Sequence, residues 1–229
     1  MYNIAVILAG GIGSRVGGTT PKQLLPLADG RSVLEHSVDA FEQAACIDEI
    51  AVVMHPDHLS ALQALCEKNA WQKVKKIIPG GAERWESSWH AIQAYEEKSE
   101  FSVQKSEISL LLHDAARPFV SQTIISNVCQ ALEEHEAVTV AVASTDTIYI
   151  TEDHRLVSMP DRSTVLRAQT PQAFHLKTIR AAYEKALASS AVAATDDVGI
   201  VHRYTPEVPI YIVPGEETNK KITYPEDLQ

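Results

Sequence analysis

The chain has 229 residues, of which 45% are hydrophobic and 22% are charged, and its formal net charge is −10. This composition is too apolar for a disordered chain, and the length is sufficient for one large domain with its own core. The acidic excess argues against a polycation that binds nucleic acid. An anionic ligand would therefore require cations that are gathered locally.

No apolar run approaches the roughly 18 residues that a membrane-spanning helix needs, and the first residues show neither a basic stretch nor a cleavage site. The three cysteines, Cys46, Cys66 and Cys129, are far apart and form no CxxC pair. They are typical of a reducing compartment and not of a disulfide framework. We therefore expect a soluble, cytoplasmic protein that has no signal peptide and does not associate with a membrane.

Short β-rich runs alternate with amphipathic helical patterns along the chain. The predicted strands cover residues 4–8, 50–54, 74–78, 108–112, 137–143 and 209–213. The predicted helices cover residues 33–44, 56–67, 84–96, 121–134 and 176–187. This order predicts a single α/β domain over residues 1–229, with three layers and a mostly parallel, Rossmann-like sheet. In such sheets, ligands bind beyond the carboxyl ends of the strands.

Residues 144–169 interrupt this alternation and read as two short strands around a polar turn at 152–154. A hairpin of this length cannot bury both of its faces on its own sheet. The preferred interpretation is a protruding β-arm that packs on a second subunit, which predicts a homodimer. The alternative is a flap that covers an edge of the sheet.

The first predicted strand leads into the glycine-rich segment 9–13, which is followed by Arg15 and Lys22. Glycines directly after a strand allow backbone N–H groups to face a phosphate, and the two cations add positive charge. A Walker A loop is excluded because Lys22 is not preceded by glycine or followed by serine or threonine. A dinucleotide fingerprint is excluded because the bulky Val16 stands where a small residue is needed.

This loop resembles the signature of nucleotidyltransferases that join a nucleoside triphosphate to a sugar or polyol phosphate. Four later segments narrow the resemblance, and they lie at residues 80–84, 112–119, 168–174 and 219–228. Together the five motifs resemble, in order, the methylerythritol phosphate cytidylyltransferase family of the non-mevalonate isoprenoid pathway. The resemblance covers nearly the whole chain. It implies a homodimeric enzyme that uses CTP as a substrate and Mg²⁺ as a cofactor.

The resemblance also implies a role for individual residues. Arg15 and Lys22 would stabilise the transition state. The residues that would hold the nucleotide are Ala9, Gly10, Gly11, Gly81, Ala82 and Ser87. Asp114 would face both the metal ion and the substrate. The polyol phosphate would be held through Arg117, which braces the turn after Asp114, through Thr170 and Lys221, and through Thr147 and Arg162 from the arm of the neighbouring subunit.

The chemistry agrees with these roles. The attacking group is a phosphate monoester with a second pKa of about 6, so it is already an anion at neutral pH. No general base is needed, and we expect His113 to be structural. The difficulty is to bring two polyanions together and to stabilise charge on the α-phosphate as pyrophosphate leaves. Cations, backbone N–H groups and a divalent ion serve that purpose.

Two other functions stay open. Gly10 stands where the isoprenoid enzymes more often have alanine, and this feature is shared with ribitol-5-phosphate cytidylyltransferases, which make CDP-ribitol. A nucleotide-binding module without catalysis is the more remote alternative, because Arg15, Lys22 and Asp114 are all present. The segment 195–197 is either a helix cap or a part of the site, as a pocket wall or a second carboxylate.

Overall fold

The computed structural model of the protein describes residues 1–11, 21–95, 108–189, 192 and 194–228. Its strands, in chain order, are β1 (Tyr2–Ala9), β2 (Glu49–Met54), β3 (Val74–Pro79), β4 (Ile108–Asp114), β5 (Ala137–Ala143), β6 (Ile150–Glu152), β7 (Arg155–Ser158), β8 (Leu166–His175) and β9 (Tyr211–Pro214). Its α-helices are α1 (Val33–Glu42), α2 (Leu59–Asn69), α3 (Arg84–Ala94), α4 (Gln122–Ala131), α5 (Leu176–Leu187) and α6 (Asp197–Tyr204). Within these residues, no helix has the length and apolar character that a membrane crossing requires.

Seven strands form the central sheet in the order β3-β2-β1-β4-β8-β5-β9. Strand β1 pairs in parallel with β2 and β4, while β8 runs antiparallel to both β4 and β5. The predicted mostly parallel sheet is therefore confirmed, but β8 was not predicted as one of its strands. Because β8 begins at Leu166, residues 166–169 at the end of the predicted arm pair with β5.

Helices cover both faces of this sheet because successive side chains of a strand point to opposite sides. In β1, Ala5 and Ile7 pack with α1, α2 and α4, whereas Ile4 and Val6 pack with α3, α5 and α6. All four side chains are fully buried. Two apolar layers therefore hold the sheet rigidly, and the carboxyl ends of β1 and β4 lie side by side.

The starts of the helices follow capping chemistry. Helix α1 begins with a capping box, in which Ser32 and Glu35 each bond the other's backbone N–H. Helix α2 begins later than predicted, because Pro56–His58 form a short 3-10 turn ahead of it. Helix α6 was not predicted; the Asp196 side chain caps it by accepting a hydrogen bond from Gly199 N at 2.8 Å. Asp196 is thus the helix cap.

The hairpin inside residues 144–169 is confirmed. Strands β6 and β7 pair with each other in a separate two-stranded sheet. Asp153 and His154 form the turn between them with positive φ angles of 47° and 61°, which match the right-handed twist of a hairpin. Every residue of both strands is exposed in the single chain. Packing of this arm on a second subunit remains a prediction.

Candidate active site

A cavity of about 280 Å³ opens at the carboxyl end of the sheet. Its walls come from the ends of β1 and β4, the loop between β3 and α3, and the segment before the carboxyl terminus. The sequence-predicted residues that line it are Ala9, Gly10, Gly11, Lys22, Gly81, Ala82, Ser87, Asp114 and Lys221. Residues far apart in the chain are therefore gathered at the edge where ligands of such sheets bind. The predicted Arg15 lies outside the described residues.

The glycine loop after β1 approaches the loop after β3 closely because the glycines lack side chains. A Cβ on Gly10 would stand 3.0 Å from Ser87 Oγ and 3.7 Å from Gly80 Cα. Ser87 Oγ accepts a hydrogen bond from Gly81 N at 3.1 Å. A Cβ on Gly81 would lie 2.3 Å from the Cβ of Glu86, so no larger residue fits without displacing the loop. One narrow wall of the cavity thus consists mainly of backbone.

The side chain of Gln23 holds the glycine loop in place through hydrogen bonds, a role that was not predicted from the sequence. Its side chain is buried, and Nε2 donates hydrogen bonds to Ala9 O and, at 2.8 Å, to Gly11 O. The neighbouring Lys22 donates from Nζ to Ile222 O at 2.7 Å, which brings this cation to the cavity. Only the position of Gln23 next to a predicted catalytic lysine hinted at this function.

The carboxylate of Asp114, at the end of β4, lies between two cations on the cavity floor. Arg84 Nε is 3.1 Å from Oδ1, and Lys221 Nζ is 2.6 Å from Oδ2. Burial raises the pKa of Asp114, but Arg84 and Lys221 outweigh this effect and hold the pKa well below its usual range. Asp114 is therefore ionised at neutral pH, and it can accept hydrogen bonds or hold a metal ion but not donate a proton.

A second carboxylate lies behind Arg84. Arg84 Nη1 donates to Asp197 Oδ2 at 2.7 Å, and Tyr183 OH donates to Asp197 Oδ1 at 2.6 Å. Asp197 is fully buried. Both readings left open for residues 195–197 are therefore realised, by different residues. Asp196 is the helix cap, and Asp197 is the second carboxylate. Arg84 stands in the segment 80–84 but was assigned no role from the sequence, and Tyr183 was not predicted to belong to the site.

A chain of hydrogen bonds holds the backbone at Asp114. Its N–H donates to Thr170 Oγ1 at 3.1 Å, and Thr170 Oγ1 lies 3.1 Å from His113 Nδ1. His113 Nε2 lies 3.0 Å from Arg117 O, a carbonyl that can only accept, so the proton is on Nε2. Burial lowers the pKa of His113 to about 4. His113 and Thr170 therefore position the floor of the site.

The remaining predicted residues do not line this cavity. The guanidinium of Arg117 donates to Asn219 O at 2.8 Å and to Ala168 O at 3.2 Å, which ties three segments together beside Asp114. Thr147 and Arg162 lie exposed on the arm. A contact of these two side chains with substrate remains a prediction.

The donor set suits a magnesium ion that is held mainly by its substrate. Among the described residues, no group of three His, Cys, Asp or Glu side chains is placed to enclose a metal ion. Mg²⁺ in phosphate-transfer sites usually binds one or two carboxylates together with substrate phosphates and water. The ionised carboxylate of Asp114, which faces the cavity, fits that requirement.

Nearly the whole chain is similar to one family of enzymes. Residues 3–229 match the family model of 2-C-methyl-D-erythritol 4-phosphate cytidylyltransferase. A protein of that name from Thermobifida fusca is 46% identical, over 98% of this chain and 89% of its own length. The crystal structure of 4-diphosphocytidyl-2C-methyl-D-erythritol synthase from Anaerococcus prevotii has a TM-score of 0.83 at 30% identity, and the match covers 99% of this chain and 92% of that one.

A relative named for a different activity is less similar to this chain than the Thermobifida fusca protein is. The bifunctional ribulose 5-phosphate reductase/CDP-ribitol pyrophosphorylase Bcs1 of Haemophilus influenzae is 38% identical over 99% of this chain. The match covers only 46% of that longer protein. Identity therefore falls from 46% to 38% between the Thermobifida fusca protein and this one.

Proposed function

The chain belongs to the 2-C-methyl-D-erythritol 4-phosphate cytidylyltransferase family, and on that premise we propose that it transfers the cytidylyl group of CTP to 2-C-methyl-D-erythritol 4-phosphate. The products are 4-diphosphocytidyl-2-C-methyl-D-erythritol and pyrophosphate. One observation carries the proposal: the cavity brings the glycine loop, Lys22 and the charged group of Asp114, Arg84 and Lys221 to one edge of the sheet.

The reaction is an in-line exchange at the α-phosphorus of CTP. A phosphate oxygen of the polyol phosphate forms a new P–O bond, and the bond from the α-phosphorus to the bridging oxygen of the β-phosphate breaks. Pyrophosphate leaves with that electron pair. The attacking phosphate is already ionised at neutral pH, because its second pKa is about 6. Both ring nitrogens of the buried His113 are engaged, by Arg117 O and Thr170 Oγ1, which is consistent with a structural residue and a mechanism that uses no general base.

The nucleotide half of the cavity supports binding of CTP. The backbone at Gly10 and Gly11 would lie along the triphosphate, where N–H groups stabilise negative charge. Lys22 would add a cation from the adjoining wall. Ser87, with Gly81 and Ala82, would hold the cytosine and ribose. Arg15 remains a prediction for the same transition state.

The other half of the cavity supports binding of the polyol phosphate. Asp114 would accept hydrogen bonds from hydroxyl groups, and Lys221 would turn from Asp114 to the incoming phosphate. Lys221 is partly exposed, with 38% of its side chain accessible, so this exchange needs no unfolding. A Mg²⁺ ion held by Asp114 and the phosphates would neutralise charge on the triphosphate and on the departing pyrophosphate.

We also propose that two copies of the chain form the working enzyme through the arm. Large apolar side chains of the arm are exposed in one chain, including Tyr149 at 60%, Leu156 at 58% and Met159 at 58%. Exposed apolar surface of this kind marks interaction sites. A second copy would cover it and receive Arg162 and Thr147 near its polyol phosphate. A monomer at micromolar concentration that is still fully active would contradict this role.

The cytoplasm is the compartment that we propose for this reaction. The three cysteines are free thiols in the structure, which suits a reducing environment. The net charge of −10 supports our proposal that nucleic acid is not a partner.

The substrate is tested by measuring pyrophosphate release with CTP and Mg²⁺ while methylerythritol phosphate and ribitol phosphate are supplied in parallel. We expect faster release with methylerythritol phosphate. CDP-ribitol formation is the second candidate because Bcs1 is similar over almost the whole chain. Preference for ribitol phosphate would favour that candidate and keep the mechanism. Release with neither substrate would contradict the proposal.

A further inference from the structure

Arg84 connects a cavity residue with a carboxylate buried behind the cavity. It is the first residue of α3, and its guanidinium bonds Asp114 through Nε at 3.1 Å and Asp197 through Nη1 at 2.7 Å. The two carboxylates therefore use different nitrogens of one planar group. This geometry fixes the orientation of the guanidinium as well as its position.

Asp197 is itself held by several elements. Its backbone N–H donates to Gln172 Oε1 at 3.1 Å, and its Oδ1 accepts the Tyr183 hydroxyl at 2.6 Å. The Tyr183 ring stacks on Trp89, with the ring centroids 5.8 Å apart and an interplanar angle of 8°. A fully buried carboxylate costs desolvation energy that its partners must offset. The reaction proposed above does not require a charge at this depth, so the charge calls for another explanation.

We infer that Arg84 is a positioning residue that the buried Asp197–Tyr183 pair holds in place, and that it orients the Asp114 carboxylate toward the polyol phosphate. The inference rests on the proposed function, because Asp114 is assigned to that substrate there. Arg84 acts through Asp114, and Tyr183 and Asp197 act through Arg84. A substitution at Tyr183 would therefore affect substrate binding through Asp197, Arg84 and Asp114 in turn.

Arg84 also lies close in the chain to the residues that are assigned to the nucleotide. It follows directly on the loop that carries Gly81 and Ala82, and it shares α3 with Ser87. Arg84, which orients Asp114, thus lies on the same continuous segment as the loop that contacts the nucleotide in the proposed function. Lysine could not replace Arg84, because its single nitrogen lacks the two divergent donors that reach both carboxylates.

Two tyrosines allow a matched experiment on the full chain. Tyr183→Phe keeps the ring and removes only the hydroxyl that bonds Asp197. Tyr95→Phe is the control, because Tyr95 is also fully buried and its hydroxyl donates to a carboxylate, Glu49 Oε1, at 2.8 Å. Glu49 begins β2, at the end of the sheet opposite the cavity. Both variants lose one buried tyrosine–carboxylate bond, and only one of these bonds leads to Asp114.

The measured quantities are kcat, and KM for each substrate, from pyrophosphate release with CTP and methylerythritol phosphate. We expect Tyr183→Phe to lower kcat/KM for the polyol phosphate about 10- to 100-fold, as loss of a supporting contact does at other sites. KM for CTP should change less than about twofold, and Tyr95→Phe should match the wild type, by the same reasoning. Arg84→Lys should be as defective as Arg84→Gln, because a positive charge without the two divergent guanidinium donors cannot restore the orientation of the Asp114 carboxylate.

A double-mutant cycle separates positioning from general destabilisation. Asp114→Ala combined with Tyr183→Phe should be no slower than Asp114→Ala alone, because alanine leaves Arg84 no carboxylate to orient and Tyr183 acts only through that carboxylate. Independent, additive losses, or equal losses in Tyr183→Phe and Tyr95→Phe, would overturn the inference while the wild-type activity stands. A wild type that releases no pyrophosphate would instead overturn the proposed function, and the inference would fall with it.

Discussion

The carboxylate of Glu35 joins the first turn of α1 to the last turn of α2. Its Oε2 accepts hydrogen bonds from Ser32 N and Ser32 Oγ, both at 2.8 Å, and its Oε1 accepts from Lys68 Nζ and Asn69 Nδ2, both at 3.0 Å. Only 3% of the side chain is exposed. Burial raises the pKa of Glu35, but these donors outweigh it and lower the pKa to about 2.

This pKa predicts how stability depends on pH. An unperturbed glutamate has a pKa of 4.5, so between that value and pH 2 the unfolded chain binds a proton that the folded chain does not. The stabilising contribution of Glu35 is therefore complete above pH 4.5 and is lost as the pH falls toward 2. At about 1.4 kcal/mol per pKa unit it amounts to about 3 kcal/mol, of which about 2 kcal/mol is lost by pH 3.

The assay is urea unfolding of the wild type, Glu35→Gln and Glu184→Gln at pH 6 and pH 3. Glu184 lies on α5 with 52% of its side chain exposed, so its glutamine variant should follow the wild type. The loss of unfolding free energy between the two pH values should be about 2 kcal/mol smaller in Glu35→Gln than in the wild type. An equal loss in both would refute the assignment of this acid sensitivity to Glu35.

The remaining predictions concern substrate binding and catalysis, and pyrophosphate release measures all of them. Lys22→Ala and Arg15→Ala should each lower kcat by about 10²- to 10³-fold with the circular dichroism spectrum unchanged; near-normal turnover would contradict their role. Gly81→Ala should raise KM for CTP, because the added Cβ would lie 2.3 Å from Glu86 Cβ and displace the loop; an unchanged KM would show that the loop does not contact the nucleotide. Lys221→Met should raise KM for the polyol phosphate about tenfold or more and leave KM for CTP within about twofold; equal changes in both would contradict separate subsites.

The alternating elements could be predicted because their apolar residues follow the periods of strands and helices. Strand β8 could not, because it carries the polar Gln169 and Gln172 within its span together with Pro171. Both glutamines serve distant segments: Gln169 donates to Glu216 O and Gln172 to Asp196 Oδ2. The place of β8 between β4 and β5 depends on pairing with residues that are distant in the sequence, and local periodicity cannot predict such pairing.

The residues of the site likewise include some that could be predicted from the sequence and some that could not. The glycine loop, Lys22, Asp114 and Lys221 stand in recognisable motifs, and the fold brings them to one cavity. The partner of Arg84 could not be predicted, because Asp197 is 113 positions away in the chain. Tyr183 occupies a core position of α5, where its hydroxyl gives no local signal of a polar role.

The central claim is that this cavity joins the cytidylyl group to a polyol phosphate, and phosphorus NMR of the reaction mixture tests it most directly. With CTP, Mg²⁺ and methylerythritol phosphate, we predict that the triphosphate signals are replaced by pyrophosphate and by one unsymmetrical diphosphate diester in equal amounts. Intact CTP beside an unchanged polyol phosphate, or hydrolysis of CTP without the diester, would contradict the claim.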